Sequence, residues 1–222
     1  MGVRMKSLKI FVLAVCLMSY MSPAAALAAD KAKHPGEETL RKINEKSKPS
    51  EDSNKILSSL LGTWKYESYV WVNASAEPEK ATGTITNEMI LGNRFLSSHV
   101  NGNISIDGHL ALFKAQGLLG FDKNKGSFSS VWTDTLSTGM MLGSGKYDEK
   151  SKTLEETGKF TNPVTGLEEK FRSETKIAGD GNYERAVFST GKSGKEAKVM
   201  QFKYSKNSFS ETTESTEATK PE

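Results

Sequence analysis

From Thr63 to Tyr204 turn signals recur at intervals of about 10–14 residues, and this spacing constrains the fold more than any other feature. The runs between them are rich in aromatic and β-branched residues: Thr63–Asn73, Lys80–Leu91, a segment from Arg94, Leu110–Phe121, Ser127–Asp134, Thr138–Tyr147, Thr153–Phe160, Glu168–Ile177, Tyr183–Thr190 and Ala197–Tyr204. Connections such as Asp122–Gly126 (DKNKG) and Asn162–Gly166 (NPVTG) have no room for a crossover helix, so the strands must pair antiparallel and mostly in sequence order. An up-and-down sheet of about ten strands removes its exposed edges by closing. The expected fold is therefore all-β, an antiparallel up-and-down β-barrel of about ten strands. Asn101-Gly102 and Asp107-Gly108 are too close together for both to end full strands, so one of them is expected to mark a bulge or a small hairpin.

The ends of the chain differ from this middle. Arg4, Lys6 and Lys9 precede a short apolar run, Ile10 to Met18, and Ala26-Leu27-Ala28 fits an A-x-A cleavage site, so residues 1–28 read as a secretory signal peptide. The apolar run falls short of the about 20 residues that span a bilayer, so no integral membrane span is expected. Residues 29–52 are polar and lack aromatics, which predicts a flexible linker with at most a short amphipathic turn at Thr39–Lys46. Ser53 is placed to cap a short helix carrying Ile56, Leu57, Leu60 and Leu61, which would close one end of the barrel. The barrel domain is then 53–205, and the Ser-, Thr- and Glu-rich segment 206–222 is expected to be disordered.

Export changes the meaning of composition. The whole chain has 30 Lys+Arg against 27 Asp+Glu, but the leader holds three basic residues and no acidic one, so the remainder is balanced at 27 of each. That balance excludes the electrostatic footprint of a nucleic-acid binder. The single cysteine, Cys16, also lies in the leader. Leu13-Ala14-Val15-Cys16 has a faint likeness to a lipoprotein processing site, but valine is a poor residue before the cysteine and the apolar run continues past it. Without Cys16 the protein has no disulfide, thiol nucleophile or thiolate metal site, and its stability rests on a hydrophobic core.

Alternation assigns faces. Trp64, Tyr66, Ser68, Val70 and Val72 share one face of the first strand, opposite Lys65, Glu67, Tyr69, Trp71 and Asn73, so Trp64 is expected inside and Trp71 outside. Gly62-Thr63-Trp64 after a short helical turn resembles the Gly-x-Trp pattern of lipocalins and their relatives. The resemblance implies that Trp64 plugs the closed end while Gly62 lets the chain bend into the strand; Trp64 is equally accounted for as ordinary core. More widely, LLGTWKYESYVWV, TGTITNEMILGNRFL, GLLGFDKNKGSFSSVWTDTLSTGMM, GKYDEKSKTLEETGKFTNPVTG and KVMQFKYSK, over Leu60–Lys206, are similar to an exported bacterial family catalogued as domain of unknown function 1579. That resemblance implies a lipocalin-like barrel and supplies no catalytic residue.

Candidate ligand-contacting residues follow from the inward faces. In Val131–Met141 (VWTDTLSTGMM), Trp132 and Asp134 share a face and Met140 and Met141 begin the next strand. An indole, a thioether and one orienting carboxylate are the elements of a small-molecule site; the other reading is a hairpin tip capped by Asp134. With Tyr66, Met200 and Phe202 these residues are expected to line a cavity for a small, largely apolar ligand, Asp134 being its polar anchor. Arg172 is expected outside if Phe171 points inward, and Glu88 and Arg94 are expected to pair or to close the barrel end. His99, on a face with Phe95 and Ser97, is the one histidine placed to point inside, an arrangement similar to haem-binding barrels of the nitrobindin type. No cofactor or metal is otherwise expected, because metal-ligand spacing, a nucleophile elbow, a phosphate loop and a dinucleotide fingerprint are all missing from the sequence. Two further functions fit the same chain: a small-molecule enzyme using Asp134 or Glu88 as acid or base, and an envelope interaction module presenting Tyr69 and Trp71. The sequence leaves the oligomeric state open.

Overall fold

Ten strands close into one antiparallel barrel in the computed structural model. They are β1 (Gly62–Val70), β2 (Glu79–Ile90), β3 (Phe95–Ile106), β4 (His109–Asp122), β5 (Ser127–Asp134), β6 (Met141–Asp148), β7 (Thr153–Thr161), β8 (Glu168–Ile177), β9 (Tyr183–Ser189) and β10 (Ala197–Lys206). Each strand pairs with its sequence neighbour, and β1 pairs with β10 through Tyr66↔Tyr204 and Ser68↔Phe202 to complete the ring. The structure describes residues 35–73, 76–178, 181–190 and 194–206. The leader expected at 1–28 lies outside them, as does the disordered tail expected at 206–222 apart from Lys206, which ends β10.

The turn chemistry is local and behaves as the sequence suggests, with one correction. Asp107 (φ 52°) and Gly108 (φ 74°) form the two-residue connection of the β3–β4 hairpin. Asn101-Gly102, in contrast, is neither bulge nor turn: β3 runs through it in unbroken register with β4, and its ladder with β2 extends as far as Gly102. Gly102 is required by packing instead. A Cβ there would lie 2.5 Å from the Tyr66 hydroxyl, and one at its cross-strand partner Gly83 would lie 2.5 Å from the Tyr66 ring. The two glycines make a flat bed for the tyrosine, whose hydroxyl donates to the Asn103 carbonyl at 3.2 Å. A register shift does occur elsewhere, between Lys198 and Met200 on β10.

The N-terminal expectations are also revised. The chain divides at residue 45 into two units. In the first, where a linker with a short turn was expected, Pro35–Lys46 forms the amphipathic helix α1. The helix carries i,i+4 pairs, Glu38–Lys42 at 2.8 Å and Arg41–Glu45 at 3.3 Å, acidic residues in its first turn and Lys46 in its last, all favourable to an isolated helix. In the barrel unit, α2 (Glu51–Ser58) begins before Ser53, so Ser53 is not its cap. Ser50 holds the N-cap position without a side-chain hydrogen bond, and Ser53 Oγ donates back to the Ser50 carbonyl at 3.1 Å.

Helix α2 closes one end. Leu57 and Leu60 are buried against Trp64, Ile85, Leu96, Phe128 and Leu154, which form the core there. Trp64 Nε1 donates to the Leu60 carbonyl at 2.9 Å, and its ring meets Tyr183 edge-on at a centroid distance of 4.9 Å. Gly62, at φ 110°, turns the chain from the helix into β1 through a backbone conformation that a side chain would strain. Asn87 Nδ2 donates to the same Leu60 carbonyl at 2.8 Å, tying β2 to the seal.

Candidate functional site

The opposite end of the barrel is open. The loops after β1, β3, β5, β7 and β9 surround its mouth, and a cavity of about 200 Å³ extends inward from them. Its walls are mainly apolar: Tyr66, Phe113, Phe171, Val187, Met200 and Phe202 face the lumen, with Trp132 and Asp134 on the β5 side. Alternation on β1, β5 and β10 accounts for these orientations, since each inward side chain is two residues from the next.

Tyr66, Trp132, Asp134, Met200 and Phe202 are thus brought together around one cavity. Tyr66 is buried, and burial pushes its phenol up to about 12. Its ring packs edge-on to Phe202 at 5.7 Å. Trp132 Nε1 donates to Asp134 Oδ2 at 3.1 Å, while Asp134 Oδ1 accepts from the Leu136 amide at 3.0 Å. Asp134 therefore does both jobs the sequence offered it, capping the turn and bordering the cavity.

Met140 is a partial correction. It touches the mouth but is 65 % exposed, and β6 begins one residue later with Met141, which pairs with Trp132 and turns inward. The turn before it, held by Ser137 Oγ accepting from the Gly139 amide at 2.9 Å, uses up the residues that would have extended the strand.

His99 is corrected outright. On β3 the buried apolar residues are Leu96, Val100 and Ile104, so the parity that puts them inside puts His99 outside. It is exposed and 3.2 Å from Ser97 Oγ, and the lumen receives no imidazole from it, which removes it as an inward haem ligand. Among the described residues no group of three or more His, Cys, Asp or Glu side chains is placed to hold a metal ion.

The remaining charged candidates lie on the outer face. Glu88 is exposed, and Arg94 donates to the carbonyls of its own turn, Leu91 at 3.1 Å and Gly92 at 3.4 Å, so the expected Glu88–Arg94 pair is not the arrangement found. Phe171 is buried and Arg172 turns outward, where it grips Glu196 through Nε and Nη2, bonds Glu174 and stacks over Phe188 at 4.2 Å. Glu196 is held below the usual carboxylate range by that guanidinium. Tyr69 lies between Lys80 and Lys203 and donates to Glu67 at 2.9 Å, and Lys198 covers Trp71 at 5.4 Å. The outer aromatics are thus shielded by lysines rather than joined in one bare patch.

Two lumen residues escaped the sequence reading. Arg185 on β9 and Glu156 on β7 both face inward, Glu156 only 2 % exposed, and Arg185 Nη2 lies 3.6 Å from Glu156 Oε2. The same nitrogen is 3.4 Å from Ser173 Oγ, and the guanidinium sits over the Trp132 ring at 5.8 Å. The signal was present. Arg185 is in phase with Tyr183, Val187 and Ser189, and Glu156 with Leu154 and Phe160, each a charge standing on an otherwise inward face. Below this pair a second, smaller chamber of about 60 Å³ reaches down to Leu60 and Asn87 at the sealed end.

A closed antiparallel barrel sealed by a helix at one end, with an apolar cavity opening at the other, defines an up-and-down β-barrel of lipocalin-like design. The family model described as "Protein of unknown function (DUF1579)" matches residues 49–206, and the chain belongs to that family. Among solved structures it is similar to Rv2717c from M. tuberculosis, with a TM-score of 0.55 and 14 % identity over 72 % of this chain and 99 % of that one, a likeness of fold alone. No curated protein matches the sequence.

Proposed function

We propose that this protein is an exported barrel that binds a small, largely apolar molecule in the open-ended cavity. The observation that carries this reading is the cavity itself: about 200 Å³ of lumen walled by aromatic and methionine side chains, while α2 and the core around Trp64 close the far end. Pockets of mostly apolar lining with a few convergent polar groups are how small ligands are held. Trp132, Asp134 and Arg185 supply those polar groups. The leader-like residues 1–28 support a periplasmic or secreted location, which N-terminal sequencing of the purified protein tests directly.

Native mass spectrometry of protein purified from its own host is the main test, because a retained ligand appears as added mass. A neutral naphthylamine dye provides a second. It should brighten in the wild-type cavity and fail to do so in Val187→Trp, where an indole fills the lumen. An apo mass from the host together with no dye binding overturns the reading.

A further inference from the structure

We propose that the lumen prefers a neutral amphiphile whose polar end donates hydrogen bonds, seated beside Glu156 and Arg185, and that it discriminates against a carboxylate on the same chain. This rests on the cavity reading above and specifies its ligand class.

Two observations point the same way. The first is charge. Among the described residues, the charged side chains lining the two chambers are Arg185, Glu156 and Asp134, one cation against two carboxylates. Arg185 is already matched by Glu156, so the described residues give the lumen no uncompensated positive charge for an anion to meet. A carboxylate entering it would be stripped of water and would face net negative charge.

The second observation is hydrogen-bonding capacity. Glu156 Oε1 and Asn87 Oδ1 are buried and have no hydrogen-bond partner among the described residues. Both residues line the inner chamber. Both orphaned atoms are acceptors, so whatever satisfies them must donate. A hydroxyl or amide does so, whereas a carboxylate can only accept. Arg185 completes the fit: its contacts with Glu156 and Ser173 both run through Nη2, and a guanidinium carries donors on three nitrogens, so it can serve the lone pair of the same ligand oxygen. Ser130, Trp132, Arg185 and Tyr204 border both chambers, so a chain lying in the outer one brings its end group to this layer.

The test is displacement of the neutral dye by decan-1-ol and by decanoate at neutral pH, in the wild type and in Glu156→Gln. The two ligands differ in their affinity for water, but that difference cancels when their ratio is compared between the two proteins. In Glu156→Gln, Arg185 is left uncompensated and the new amide offers a donor, so the ratio should move toward decanoate by roughly tenfold or more. An unchanged ratio, or a shift toward the alcohol, overturns the head-group assignment while leaving the cavity reading intact. Failure of the dye and both ligands to bind the wild type is a failure of the cavity reading itself. If Glu156→Gln does not fold, Asp134→Asn removes the other lumen carboxylate and should move the ratio the same way by a smaller factor; no movement there overturns the proposal equally.

Discussion

The indole N–H of Trp132 donates to the carboxylate of Asp134, two residues further along the same inward face of β5, at 3.1 Å. The other carboxylate oxygen accepts from the Leu136 amide, so one side chain fixes both a cavity wall and the loop at the mouth. Asp134→Ala should strand the indole and the amide together and cost about 1–3 kcal/mol. Asp134→Asn keeps a carbonyl oxygen and should cost less. Urea unfolding of the two variants measures the difference, and equal losses would show that the hydrogen bonds matter less than the loop's own packing.

Gly83 lies under the Tyr66 ring with no room for a methyl group. Gly83→Ala should destabilise the barrel by about 1–3 kcal/mol, because the ring must leave its position across β2 and β3. In a Tyr66→Ala background the same substitution should cost much less. The coupling energy from the double-mutant cycle checks this, and additive losses would place the strain elsewhere.

Trp64 and the cavity are at opposite ends of the barrel. Trp64→Ala removes a buried indole, its bond to Leu60 and its contact with Tyr183, and should cost about 3–5 kcal/mol. Dye affinity of the fraction that remains folded should stay within about twofold of wild type, since Tyr66, Trp132 and Met200 are untouched. Stability curves and dye titration on the same samples separate the two effects.

Alkaline pH should unfold the barrel through its tyrosines. Burial raises the phenols of Tyr66, Tyr183 and Tyr204 above their ordinary value of 10.0, Tyr66 to about 12. The folded state therefore binds these protons more tightly than the unfolded one. The resulting stability is fully present below pH 10, and is lost as pH rises through 10 and past about 12. Tyr66→Phe removes one such group and should make the decline less steep, at the cost of the bond to Asn103, about 1 kcal/mol at neutral pH. Circular dichroism against pH, with tyrosinate absorbance followed in parallel, reads both effects.

Strand order, most strand limits and the inward face of Trp64 were legible in the sequence, because turn chemistry and period-2 alternation act over a few neighbouring residues. The same local rules also put Arg172 outside and Trp132 with Asp134 on one face. They misplaced His99, for which parity had to be counted from Leu96, and they misread Gly102, which looks like a turn residue until Tyr66 is laid across it.

What the sequence by itself determined is the container: ten antiparallel strands and a helical seal with Trp64 beneath it. The tertiary structure alone decided the contents. Arg185 and Glu156 lie on β9 and β7 with β8 between them, so it is the register of both strands on β8 and the inward curvature of the sheet that bring their side chains to 3.6 Å. The open volume is likewise the difference between the space enclosed by ten strands and the side chains that all of them send inward, a quantity that no single strand contains.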